Sequence, residues 1–374
     1  MNSQFVLGIL FSSLVFLASC GKSETADPGL PEPPLVANPK QVVLNDSVNG
    51  APIVVIGYRS KKYMVAYSSI LDDGTHLLFE PDTLTNLSFK DETGGVWDLF
   101  GNCTSGTHVG QKLKTMQGNL GYFFSWGAMY PGFEVYNFPD ISANGERQIT
   151  QDWLIPRDDV WYGAPKDAIP ALVNPEIVSQ NDPKTNFLAN TDLVVGVHFN
   201  GEYVAYPHNI LDWHEIVNDD LGSTSYAVIY CPLTGTATVW DRNTSAGNST
   251  FGVSGLLYNS NIIPYDRKTG SNWSQMLFAC VNGSLITENS MVLPSIETTW
   301  GTWKEISGGN TKVMSTNTGH QRNYNEYPYG DYKTNHNNLL FPLQFEDTRL
   351  NKKERILGVT HNGSAKGYRF STFQ

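Results

Sequence analysis

Charged residues make up only 16% of this 374-residue chain, and 25 Lys and Arg stand against 36 Asp and Glu, a formal net charge of −11. Nucleic acids and anionic lipid surfaces need a basic footprint, so neither is expected as a partner. Cysteine is equally sparse: Cys20, Cys103, Cys231 and Cys280 are the four present, and no two form a Cys-x-x-Cys pair. A dithiol cycle or a thiolate metal site therefore has no support from spacing. His-Glu-x-x-His is absent, no known catalytic signature matches, and no metal is expected; the sequence names no cofactor. Beyond the N-terminal run Phe5 to Leu17, no segment is apolar enough to span a bilayer.

That first run is itself too short to cross as a helix, and it ends in Leu17-Ala18-Ser19-Cys20. A small-residue signal site followed by Cys resembles bacterial lipoprotein signals, in which cleavage exposes the Cys for lipidation. The expectation is a signal peptide over 1–20 and a lipid on Cys20 that attaches the chain to the cell envelope, with Gly21 favouring the outer membrane. The initial MNSQ departs from the pattern by carrying no Lys or Arg. Pro28, Pro31, Pro33 and Pro34 then prevent helix or paired strand, so 21–48 reads as a flexible tether.

What the chain has in quantity is turn residues, 34 Gly and 20 Pro, between short β-branched and aromatic runs. Ile53-Val54-Val55-Ile56, Leu193-Val194-Val195, Tyr226 to Tyr230 and Ala237 to Trp240 read as strands. Asn200-Gly201, Asn282-Gly283 and Asn362-Gly363 are placed as tight hairpin turns. The expected fold is mainly β, two related β-rich units, barrel- or sandwich-like, with few short helices. The clearest helix spans Asn209 to about Asp220, where Ile210, Leu211, His214 and Val217 keep helical spacing.

The two units emerge from an internal repeat. Asp91-Glu92-Thr93-Gly94-Gly95-Val96-Trp97 resembles Asp266 to Trp273, and Cys103, Gly106 and Trp126 have partners 177 positions later at Cys280, Gly283 and Trp303. Val65-Ala66-Tyr67 matches Val204-Ala205-Tyr206, and Gly358-Val359-Thr360-His361-Asn362-Gly363 echoes Gly196 to Gly201. These matches place a first repeat over 49–150, a Pro-rich connection over 151–190 and a second repeat over 191–374, with the last hairpin returning to complete a sheet begun elsewhere.

Chemistry-bearing side chains concentrate between Tyr203 and Gln275. His214 and Asn218 share a helix face in this reading, and a metal would need further ligands from afar, with His198, His208, His320 and Asp266 as candidates. Asn218, Asp219, Arg242, Asn259, Asp266, Arg267 and Arg322 are candidate ligand contacts, because guanidinium groups among Asp, Asn and Tyr suit a small polar or anionic ligand. Inter-strand ion pairs are the plainer role for the same arginines. Cys231 and His214 are the candidate catalytic pair. The segment Trp161 to Asp167 is either a connecting loop or a cover over the central site, and Cys103 and Cys280 read as small packed residues.

Several motifs together carry a family resemblance: Gly163-Ala164-Pro165-Lys166-Asp167 through Ala171, His214-Glu215-Ile216-Val217-Asn218-Asp219, Tyr230-Cys231-Pro232-Leu233-Thr234, Phe251 to Asn261 and Tyr265 to Gln275. Thr318-Gly319-His320-Gln321-Arg322-Asn323-Tyr324 and Tyr327 to Tyr332 continue it. The sequence after about residue 160 resembles the bacterial domain-of-unknown-function family 3179. The resemblance implies an exported or lipid-anchored protein and no activity. Members often carry a second Cys after Cys-Pro-Leu; Thr234 stands there in this chain, which removes a redox pair. Two functions remain: a lipid-anchored module binding a small polar or anionic ligand in the second repeat, or a metal- or thiol-dependent enzyme or redox protein using Cys231 and His214.

Overall fold

The computed structural model describes residues 40–141 and 152–373. Cys20, the signal peptide and most of the tether lie outside the described residues. Strand accounts for 43% and helix for 9%, the latter as three short α-helices and three 3-10 turns among the described residues, so the fold is mainly β. The end of the stretch expected as tether forms a strand, Val42–Val48, paired antiparallel with Ala51–Tyr58.

The internal repeat corresponds to one arrangement built twice. In the second half, the hairpin Leu193–Phe199 and Glu202–Pro207 is clasped by a strand, helix and strand that follow one another in sequence. Ser295–Thr299 runs antiparallel to one side of the hairpin, helix α3 (Trp300–Ile306) lays Trp303 over Gly196 in its first strand, and Thr311–Met314 runs parallel to the other side. In the first half, Gln117–Tyr122, helix α1 (Phe123–Met129) and Glu134–Val135 make the same clasp. The hairpin they hold is the C-terminal one, Arg355–His361 and Ser364–Arg369.

Two close contacts explain the repeated glycines and tryptophans. Trp303 packs so tightly over Gly196 that a Cβ there would lie 2.1 Å from the indole; Trp126 packs over Gly358 with the same 2.1 Å approach. Both indoles are fully buried. The hairpin turns Asn200-Gly201 and Asn362-Gly363 each have positive φ at both positions, 51° and 78° in the first, 47° and 80° in the second. Such backbone suits Asn-Gly and matches the twist of the flanking strands. Asn282-Gly283 differs: it lies in a longer loop between residues 279–282 and 287–289, which pair antiparallel, and Gly283 lies against Ser271, whose Cα is 2.7 Å from where a Cβ would stand.

The Asp-to-Trp motifs are also equivalent in space. Asp91 accepts from the Trp97 indole N–H at 2.9 Å and Asp266 from the Trp273 indole N–H at 3.2 Å. Each carboxylate also organises its own turn, through the Thr93 and Gly95 amides in one case and the Thr269 amide in the other. Cys103, Cys231 and Cys280 are free and buried. The Cys103 and Cys280 thiols each donate to a carbonyl two residues on, at 3.3 and 3.4 Å.

Between the hairpins of the second half lies what the repeat does not contain. Helix α2 (His208–His214) leads into a meander of Ile216–Leu221, Thr224–Cys231 and Thr236–Asp241. The helix read from Asn209 to about Asp220 therefore ends at His214. Glu215 takes φ 58°, the left-handed region, and stops it; Ile216 and Val217 then pair with Ile229 and Val228. The β-branched pair prefers a strand, and cross-strand packing overrides the helical spacing. His214 and Asn218 consequently share no helix face.

Candidate functional site

The end of α2 meets a long connection that has no helix or strand between Met314 and Arg355. Connections of this length within a domain are often functional. Here it places Thr318, His320, Arg322 and Tyr324 against Trp213 and His214. His214 is fully buried, Tyr324 is 5% exposed, Thr318 and Trp213 are half-buried, and His320 and Arg322 are exposed. The cluster therefore runs from a buried floor to an open rim.

Its hydrogen bonds have a fixed direction. His214 Nδ1 lies 2.8 Å from the Pro170 carbonyl oxygen, which only accepts, so Nδ1 carries the proton. Burial, with the His320 and Arg322 charges as smaller contributions, lowers the His214 pKa to about 4, against the raising effect of the Pro170 bond. The ring is neutral at pH 7, and Nε2 accepts from the Tyr324 hydroxyl at 2.7 Å. Tyr324 has no second proton to give, so the Thr318 hydroxyl donates to it at 2.5 Å. The His320 backbone N–H donates to Thr318 Oγ1 at 3.3 Å.

Arg322 forms the rim. Its guanidinium carbon is 5.8 Å from the centre of the Trp213 ring, and Nη1 donates to the Gln321 carbonyl at 3.1 Å. The His320 ring stands 5.3 Å from that of His214. Arg242, Arg267, Arg349, Arg355 and Arg369 each hold a carboxylate, on Asp220, Asp167, Asp347, Glu297 and Glu354 in turn. Arg322 has no carboxylate in ion-pair reach among the described residues.

The other residues singled out in the sequence lie elsewhere, with their polar atoms engaged inside the fold. Asn218 donates to the Leu172 and Phe251 carbonyls and accepts from the Phe251 N–H, tying three strands together. Asp219 accepts from Tyr206 at 2.6 Å, and burial raises its pKa. Arg242 pairs with Asp220 at 2.5 Å. Asn259 bonds the Ala128 carbonyl and the Gln344 N–H. Arg267 bonds the Phe251 carbonyl and Asp167, and Asp167 also accepts from Tyr265. The segment from Trp161 to Asp167 is neither a free loop nor a cover at its start: Trp161 and Tyr162 pair antiparallel with Leu257 and Leu256 as a sheet edge, their side chains exposed, and Asp167 ties its end to Tyr265 and Arg267.

Among the described residues, no hydrogen bond joins Cys231 to His214. Its thiol is fully buried, bonds the Ser260 carbonyl at 3.6 Å, and is pushed up to about 11 by burial, with the Glu215 charge adding to the effect. A thiol in that state is protonated at neutral pH and a poor nucleophile. Beside it, Thr234, Thr236, Asn261 and Gln275 form a buried hydrogen-bonded knot, with Asn261 donating to Gln275 Oε1 at 2.7 Å and to Thr234 at 2.9 Å. These contacts account for the polar residues of the Cys-Pro-Leu-Thr-Gly-Thr stretch as structure. Among the described residues, no group of three or more His, Cys, Asp or Glu is arranged to hold a metal.

Thr318 and Tyr324 were visible in sequence only as members of the Thr-Gly-His-Gln-Arg-Asn-Tyr motif. Nothing in the spacing joins them to His214, which is 110 positions from Tyr324.

A family model described as protein of unknown function (DUF3179) matches residues 166–374, more than half of the chain and all of the cluster. Among curated proteins and solved structures nothing matches.

Proposed function

We propose that this chain, which belongs to the family described as protein of unknown function (DUF3179), is a lipid-anchored envelope protein that binds a small anionic ligand at the rim of the His214 cluster. One observation carries the reading: Arg322 is exposed, lies over the Trp213 ring and lacks a carboxylate, in a chain of net charge −11 whose ion-paired arginines are already matched. A guanidinium fork held by an aromatic face suits a carboxylate or phosphate oxygen pair. The exposed His320 side chain completes the polar rim.

Calorimetric titration with succinate and with inorganic phosphate tests the site. Saturable binding of either, abolished by Arg322→Ala with the melting temperature nearly unchanged, is expected. Equal affinity in the variant excludes Arg322 as the anchor. The membrane part of the proposal rests on Leu17-Ala18-Ser19-Cys20 and is tested by Cys20→Ala, which is expected to release the protein into the soluble fraction. Retention with the membrane refutes attachment through that residue.

A further inference from the structure

The directed chain from Thr318 to Pro170 has more order than ligand binding alone requires. The Pro170 carbonyl fixes the His214 tautomer, His214 fixes the Tyr324 proton, and Tyr324 in turn makes Thr318 a donor. A half-buried hydroxyl that hands its proton inward, through a buried phenol, to a neutral imidazole has the arrangement of a nucleophile with a relayed base. The imidazole is oriented by a third group, here a backbone carbonyl. The same rim carries the exposed His320 side chain, able to stabilise negative charge that develops on a bound acyl group.

We propose that Thr318 is the nucleophile of an ester-hydrolysing site whose substrates carry an anionic group, a proposal that rests on Arg322 as the anion anchor. Thr318 Oγ1 forms a bond to the carbonyl carbon while its proton passes to Tyr324 and the Tyr324 proton passes to His214 Nε2. The ester C–O bond breaks, and the leaving oxygen takes a proton back through Tyr324. Water then attacks the acyl-threonine and gives one proton to the same relay, the relay returns it to Thr318 Oγ1 as the acyl C–O bond breaks, and the released acid loses its remaining proton to solvent as a carboxylate. No electrons change hands, and the only co-reactant is water. His214 and Tyr324 move the proton; the Pro170 carbonyl is a positioning group.

The groups facing the His214 ring are the Pro170 carbonyl, Tyr324, His320 and Arg322, and none is a carboxylate. The base therefore stays unprotonated through the neutral range, and the rate is expected to hold constant down to about pH 5 before falling.

The test uses the full chain and the mono-p-nitrophenyl ester of succinate. Release of p-nitrophenol above the buffer rate is expected, with Thr318→Ala and Tyr324→Phe each reducing kcat by about 100-fold or more. Thr318→Ser retains activity, which separates loss of the hydroxyl from loss of fold. Intact-mass measurement on quenched reactions is expected to find one succinyl group on Thr318. Arg322→Ala raises KM with kcat little changed. Turnover in Thr318→Ala equal to that of the parent, or no turnover by a parent that binds succinate, overturns the catalytic proposal. Hydrolysis that depends on Thr318 with a KM indifferent to Arg322→Ala sustains the nucleophile and removes the anion anchor.

Discussion

Glu215 should make the protein less stable as pH rises toward neutrality, opposite to the usual behaviour of a carboxylate. It sits at the left-handed residue that ends α2, 4% exposed, with Oε2 unpartnered. Burial raises its pKa from 4.5 to about 8, and a hydrogen bond from Tyr329 opposes this only partly. The folded state therefore holds a proton between pH 4.5 and 8 that the unfolded chain has released, so stability is greatest below 4.5 and declines until pH passes about 8. Each pH unit within that interval costs up to about 1.4 kcal/mol, or roughly 5 kcal/mol across it. Glu215→Gln keeps the shape and cannot ionise. Urea unfolding of both proteins from pH 5 to pH 8 at constant ionic strength cancels every other titrating group in the difference. The variant is expected to gain about 3 kcal/mol on the parent between pH 5 and 7.5. A difference that stays flat with pH would refute the reasoning.

Other parts of the structure give equally direct outcomes. Gly196→Ala and Gly358→Ala drive a methyl group into Trp303 and Trp126, and each is expected to cost about 2–3 kcal/mol in chemical denaturation; a neutral result would show that the indoles are not fixed over the hairpins. Asn218→Ala leaves backbone groups of Leu172 and Phe251 unpaired and should lower stability by about 3 kcal/mol while succinate affinity is unchanged. Cys231, at about 11, has roughly one thiolate in ten thousand molecules at pH 7, so iodoacetamide should alkylate it only after unfolding. Rapid labelling of the native protein would contradict its burial.

The β character of the chain was legible because its strands are short, β-branched and bounded by turn residues. The paired Gly and Trp and the Asp-to-Trp motifs were legible because close packing restricts residue choice: only glycine fits under Trp303 and Trp126, and the Asp91 and Asp266 turns need a carboxylate and an indole in register. The helix boundary was not legible. His214 to Val217 satisfies helical spacing, and only pairing with Thr224–Cys231 turns Ile216 and Val217 into strand. Polar residues also proved poor guides taken singly. Asn218, Asp266 and Asn259 look like ligand contacts in sequence, yet their partners are backbone and indole groups within the fold, which sequence does not display. Conversely, Thr318 and Tyr324 gain their meaning from a contact with His214 made by a long irregular connection, and no periodicity encodes such a contact.

The most direct measurement is the succinate titration of the parent and Arg322→Ala proteins side by side in low-salt buffer at pH 7. The account predicts saturable binding by the parent, loss of binding in the variant, and melting temperatures that agree closely. Identical isotherms for the two proteins would contradict it.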